Sequence, residues 1–261
     1  MTPIDRRKHY VLMLDTETAN TIQTDEGLDM SNVLVYDCGY AVVDTHGGLY
    51  ETGSFVNRDI FNGERDLMRS AYYGYKIPRY IYDLRAGTRK MLDWWEIRAK
   101  ILDVIRRWGI KEVCAHNARF DHNAVNVTQR FLTGSKYRFF FPFGEIEFWD
   151  TMKMAQDVIC KMPTYKEFCT KHGFVRTDGQ PRKTAEVLYR FISGNVDFKE
   201  SHTGLEDVLI EAEIMWYCFR QHKPMRKLLF ENSKSWATPT DFQRALAVSM
   251  KQKPTIRLGG D

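Results

Sequence analysis

The stretch Tyr10–Asn20, YVLMLDTETAN, reads as a short buried strand, Tyr10–Leu14, that ends on two acids, Asp15 and Glu17. Two residues apart on a strand, the acids point to one face. Burying even one unpaired carboxylate costs several kcal/mol, so a pair ending an apolar run needs water, a proton or a cation. Asp-any-Glu is common by chance and carries little alone. Its meaning depends on the rest of the chain.

Downstream, NVLVYDCGYAVVDTHGGLYETGSFV gives two β-rich runs broken at Asp44–Gly48. The glycines there suit the positive φ angles of a tight turn, so the pattern predicts a hairpin. Three strands therefore come first, as antiparallel neighbours. The segment 61–90 is charged and aromatic, and reads as helical pieces and loops, an insertion or a lid. Asp93–Gly109 has apolar residues at helical spacing, Trp94, Ile97, Ile101, Val104, Ile105 and Trp108, with Gly109 as a stop. A short buried strand follows in KEVCAHN, then a helix from about Ala118 to Leu132. Glu145–Asp150 reads as a strand feeding a helix at Thr151, and further helices begin near Lys166, Thr184 and Gly204. Hairpin-linked strands followed by alternating strands and helices predict an α/β protein with a mixed central sheet flanked by helices. One domain spans 1–223. A basic extension, 224–261, has one helix, with Thr240 as its cap and Gln243 completing a capping box.

Composition sets the class. Of 261 residues, 43% are hydrophobic and 28% charged, as in an ordinary soluble domain. No apolar run is long enough to span a membrane, and the start is polar and basic, so an intracellular, cytoplasmic protein is expected. Five cysteines without a CxxC pair suggest reduced thiols. Zinc through Cys114 and His116, or Cys218 and His222, lacks a repeated short spacing. A net charge of +4 does not by itself announce nucleic acid, and small basic groups such as Arg182-Lys183 read as solvated faces. The aromatic run Tyr137–Trp149 reads as core packing rather than a base-stacking platform.

Two more stretches place acids where they need explaining. In CAHNARFD, Asp121 falls near the start of a helix, where it also complements the helix dipole. Asn117 reads as that helix's cap or as support, not as a ligand. In HTGLEDVLIEAEIMWYCF, Leu205, Val208, Leu209, Ala212, Met215 and Trp216 form an inward stripe with Asp207 beside it. His202 lies just before that helix. Asp15, Glu17, Asp121 and Asp207 could converge on one sheet end, where four carboxylates ionise together only beside cations. Hard oxygen donors in that number suit Mg²⁺ or Mn²⁺. A pair of such ions clamps an in-line phosphoryl displacement, and a neutral imidazole suits the deprotonation of water.

In this order, Asp15-Thr-Glu17, the Ala115–Asp121 stretch and the His202–Asp207 stretch resemble the three motifs of the DnaQ-like 3′–5′ exonucleases. His202 in place of a tyrosine marks the DEDDh branch, which includes polymerase proofreading subunits and ribonuclease T. The resemblance runs from about His9 to His222 and implies a ribonuclease H-like fold. It also implies two Mg²⁺ or Mn²⁺ ions, one held by Asp15, Glu17 and Asp207, the other by Asp15 with Asp121. His202 would be the base, and the product a nucleoside 5′-monophosphate. Thr16 and Thr18 would offer donors near the terminal sugar. Asp150 is read as structural, and Glu211 and Glu213 as solvated or paired helix charges. The implied partner is a nucleic acid 3′ end, DNA favoured over RNA, with a DNA polymerase and a homodimer as further associations. The rivals are an exoribonuclease and a non-catalytic end-binding module.

Overall fold

The computed structural model describes residues 4–20, 22–24, 27–29, 32–71, 73–142 and 144–230. The expected C-terminal helix around Thr240 lies outside these residues. The opening strand is longer than expected: β1 spans Tyr10–Ala19, so Asp15 and Glu17 sit within it rather than at its end. The reason is pairing. Strand β4, Leu34–Asp44, runs antiparallel to β1 along its whole length, with a bulge between Glu17 and Thr18. On the other edge, β7 (Glu112–Ala115) pairs only with Val11–Met13. The open edge of β1 thus begins where the acids begin.

The predicted hairpin is present as β4 and β5 (Leu49–Asn57), antiparallel, with Asp44 accepting from the His46 and Gly48 N–H groups in the turn. Strand β6 (Lys90–Leu92) pairs parallel to β5 and β8 (Glu147–Asp150) parallel to β7. The mixed sheet has the order β6-β5-β4-β1-β7-β8, with β6 unforeseen from sequence. Two short strands, β2 (Ile22–Thr24) and β3 (Gly27–Asp29), form a separate ladder.

Helices cover both faces. Leu12 and Leu14 of β1 pack on α4 (Trp94–Trp108) and α5 (Arg119–Thr133). Helix α4 starts as expected, with Glu96 accepting from the Asp93 N–H, and stops at Gly109 with φ 65°. Phe140 and Phe141 join this layer, so the aromatic run is core. Val11 and Met13 face the other layer: α6 (Thr151–Asp157), α7 (Pro163–His172), α8 (Ala185–Ser193) and α9 (Gly204–Arg220). Among the described residues, no helix is long and apolar enough to cross a membrane.

Helix α9 departs from its predicted stripe. Val208, Ala212, Met215 and Trp216 are buried, but Leu209 is exposed, while Ile210, Ile214 and Cys218 are enclosed. The helix lies between the sheet and α8 and α6, so little of its circumference meets solvent.

The segment 61–90 follows α1 (Arg58–Phe61) and contains α2 (Arg65–Ser70), a 3₁₀ turn at Gly74–Lys76 and α3 (Ile77–Ala86). It is tied down by a buried charge network. The fully buried Asp37 of β4 accepts from Arg89 at 3.0 Å, Tyr80 at 2.7 Å and the Gly204 N–H at 3.0 Å. Arg89 also bonds Asp83 and Glu206. Removing one partner of a buried pair leaves the other charge uncompensated, at about 3–5 kcal/mol. Arg89→Met is therefore expected to lower the thermal midpoint by roughly 10 °C at this chain length, read by thermal unfolding. An unchanged midpoint would mean that Asp37 is adequately held by Tyr80 and Gly204 alone.

Residues beyond 223 continue on the domain: Leu228 bridges Trp149, the Leu229 N–H donates to the Phe148 carbonyl, and Arg226 pairs with Asp157.

Candidate active site

The side chains of Asp15 and Glu17 continue the Val11/Met13 face and so point toward α9. What brings α9 this close is a glycine crossing. A Cβ on Gly39 of β4 would lie 2.0 Å from the Gly204 carbonyl carbon, and one on Gly204 would lie 2.6 Å from the Gly39 nitrogen. Only two glycines allow this approach. It sets Asp207, in the first turn of α9, beside β1. Donor atoms of Glu17, His202 and Asp207 all lie within 4.8 Å of one another.

Asp121 arrives from the other layer. After β7 the chain turns through Asn117 at φ 62°, and α5 begins at Arg119. Asn117 does not cap the helix with its side chain, as expected from sequence; its carbonyl accepts from the Phe120 N–H, and its own N–H donates to Asp150. Asp150 caps α6 through the Met152 N–H, a structural role as predicted. Asp121 accepts from the Thr16 N–H at 3.0 Å and the Thr16 hydroxyl at 2.8 Å. Both donors expected near a substrate sugar are thus spent on Asp121, and Thr16 acts on the site by positioning that carboxylate. Thr18 is buried beyond the bulge, outside the residues that line the cleft.

These side chains line one cleft of about 810 Å³, together with His116, Glu200, Glu211, Arg176, Arg182 and Lys183. Two of the acids were missed. Glu200 lies in a loop with no periodic signal; Glu211 stands one turn beyond Asp207, a spacing the sequence does display. The expectation for Glu211 is corrected: it is 3% exposed, so it is neither solvated nor on a surface face, and its Oε2 has no hydrogen-bond partner. Asp15 Oδ2 is enclosed without a partner as well.

The electrostatics follow from burial. Asp121 and Asp207 are each pushed up to about 7, burial outweighing the hydrogen bonds they accept. Asp15 is held well above the usual carboxylate range by burial, then by Glu211 and Asp121. Glu17 is raised by burial and then Asp207, with Lys76 acting in the opposite sense. Glu200 rises to about 8, through burial and then Asp207.

His202 is half-exposed at the mouth, in a left-handed conformation with φ 49°. Its ring stacks on Tyr73 with centroids 4.5 Å apart, and Lys76 donates to the His202 carbonyl at 3.0 Å and to the Ser201 carbonyl. Burial and then Lys76 hold its pKa below the ordinary value, which favours neutral imidazole. The segment 61–90 thus braces the loop that carries His202.

Buried carboxylates with orphaned oxygens, raised pKa values and an all-oxygen donor set with one imidazole fit a hard divalent cation. No cysteine belongs to the candidate cation groups among the described residues. His116 donates to the Lys183 carbonyl instead of reaching Cys114's thiol for a metal.

No protein-family model matches this chain, and no curated protein does. Solved structures share its fold. A full-length 3′-exonuclease is 11% identical over 84% of this chain and 85% of its own, with a TM-score of 0.54. A 3′-exonuclease that recognises the 3′ end of a histone mRNA stem-loop is 11% identical over 87% and 69%, also at 0.54. The nuclease domain of 3′hExo, a DEDDh family member bound to rAMP, is 13% identical over 85% and 98%, at 0.50.

Proposed function

We propose that this protein is a divalent-metal-dependent 3′–5′ exonuclease that shortens single-stranded DNA from its 3′ end and releases nucleoside 5′-monophosphates. The observation that carries the reading is the meeting of Asp15, Glu17, Asp121, His202 and Asp207, from separate elements, around one cleft. The shared fold with 3′-exonucleases supports it.

Asp15, Glu17 and Asp207 would hold one Mg²⁺ or Mn²⁺, and Asp15 with Asp121 a second. When bound, such ions supply charge neutralisation at the attacking and leaving oxygens of an in-line displacement. His202 takes the proton from the attacking water; the new bond forms to phosphorus as the bond to the 3′ oxygen breaks. Tyr73 and Lys76 fix the imidazole's position, and its depressed pKa keeps it ready as an acceptor at neutral pH. Thr16 orients Asp121. Arg176, Arg182 and Lys183 line the cleft where a phosphodiester backbone needs cations, which gives the Arg182-Lys183 pair a role beyond a solvated face. Proofreading or repair beside a DNA polymerase is the setting the sequence resemblance suggests.

RNA is the second reading, favoured by the histone mRNA and rAMP complexes of the solved neighbours. The test uses matched 5′-labelled single-stranded DNA and RNA with Mg²⁺, Mn²⁺ or EDTA, resolved on a sequencing gel. A metal-dependent ladder shrinking from the 3′ end is expected, and the faster polymer decides between the readings. His202→Ala is expected to slow the ladder by about 10²–10⁴-fold at neutral pH. Cleavage at the wild-type rate would remove His202 from the mechanism. Tight end binding without a ladder under any metal would point to a binding module instead.

A further inference from the structure

Glu211 has no part in the motifs that suggested the site, yet it lies inside it. We propose that Glu211 is a ligand on the Asp15–Asp121 side of the cluster, so that two divalent cations bind there before any nucleic acid arrives. The inference rests on the metal-dependent reading above.

The placement comes first. Glu211 is four residues beyond Asp207 on α9, so both carboxylates project from the same helix face toward the sheet. It lines the cleft and is 97% enclosed by its surroundings, being 3% exposed. A main-chain hydrogen bond from His116 holds the carboxyl group, while Oε2 is left without a partner. A buried acid in that state calls for a proton or a cation.

Its neighbours decide between the two halves of the cluster. Glu17, His202 and Asp207 form a compact donor group that does not include Glu211. Glu211 acts instead on Asp15, where it is the foremost carboxylate, and it is itself acted on most by Asp121. Asp15 Oδ2 is the other orphaned oxygen. Lys76, the lysine that offsets Glu17 and Asp207, sits at the His202 mouth, bonded to the Ser201 and His202 carbonyls.

The chemistry then follows. Mg²⁺ sites commonly use one or two carboxylates and borrow the rest of their charge from substrate phosphates. With Asp15 and Asp121 alone, the second ion would depend on the scissile phosphate. A third carboxylate replaces that contribution, and five carboxylates more than neutralise two dications. The site is therefore charged with metal in advance, and substrate meets a cluster already assembled.

The experiment titrates the EDTA-stripped full chain with Mn²⁺ in the absence of nucleic acid, counting free ion by electron paramagnetic resonance. Wild type is expected to bind two ions. Glu211→Gln keeps the side chain's shape and is expected to lose the second ion or weaken it by on the order of 10–100-fold. Glu17→Gln should weaken the other ion, and Glu211→Asp should retain part of the second site because the charge remains. Circular dichroism checks that each variant is folded; should Glu211→Gln not fold, the comparison of wild type with Glu211→Asp carries the test. Two ions in both wild type and Glu211→Gln, at equal affinity, would overturn the assignment and leave Glu211 as a protonated acid. A single ion in wild type overturns it too. No Mn²⁺ binding at all would instead sink the metal-dependent reading of the whole cluster.

Discussion

Asp15→Asn is expected to abolish cleavage while making the metal-free protein more stable. Asp15 Oδ2 is enclosed with no hydrogen-bond partner, and burial and the charges of Glu211 and Asp121 all act against its ionisation. The amide has the same shape and no charge, so the repulsion disappears and the midpoint in EDTA rises by several degrees. The same change removes the carboxylate assigned to both cation positions. Transition-state stabilisation of several kcal/mol goes with it, a loss of roughly 10³-fold or more in rate. The labelled-oligonucleotide ladder and thermal unfolding, run on the same preparation, read the two effects separately. A variant that is inactive and also less stable would show Asp15 to be a packing residue, and the loss of activity would then say nothing about chemistry.

In EDTA the protein should lose stability as pH rises, and divalent ions should reverse the loss. The sign follows from the acids. Asp121 and Asp207 stand at about 7 in the folded chain against 3.8 for an ordinary aspartate, and Glu200 at about 8 against 4.5. The folded protein thus keeps protons that the unfolded chain releases, and stability present below about pH 4 is lost progressively up to about pH 8. Asp121 alone, 3% exposed, accounts for roughly 4 kcal/mol across that window, on the order of 10 °C for a chain of this length. Mg²⁺ or Mn²⁺ binds the ionised form, so the rise in midpoint on adding metal should be much larger at pH 8 than at pH 5.5. A flat midpoint in EDTA between these values would show that the carboxylates are already compensated within the protein.

Much of the framework was legible from local pattern. The β4–β5 turn at Asp44–Gly48 and the capped, glycine-stopped α4 were read within a residue or two, because each is specified by neighbours in sequence. Asp15 and Glu17 share a face because strand periodicity is two. The end of β1 was misplaced because Thr16–Ala19 extend along β4, a partner the local pattern does not reveal. Helix α9 was misread for a related reason. Helical periodicity finds an apolar stripe and assigns the rest to solvent, but a helix enclosed by a sheet and other helices has little such face, so Glu211 was assigned outward.

By itself, then, the sequence determined which segments become strands and helices and which acids could act together, since these depend on residues a few positions apart. Only the tertiary structure decided who meets whom. The Gly39–Gly204 crossing brings Asp207 to β1, Thr16 reaches 105 residues along the chain to orient Asp121, and Tyr73 and Lys76 brace His202. Burial and the electric field at a carboxylate are sums over neighbours distant in sequence, so Glu211's lone oxygen became visible only once the chain had closed around it.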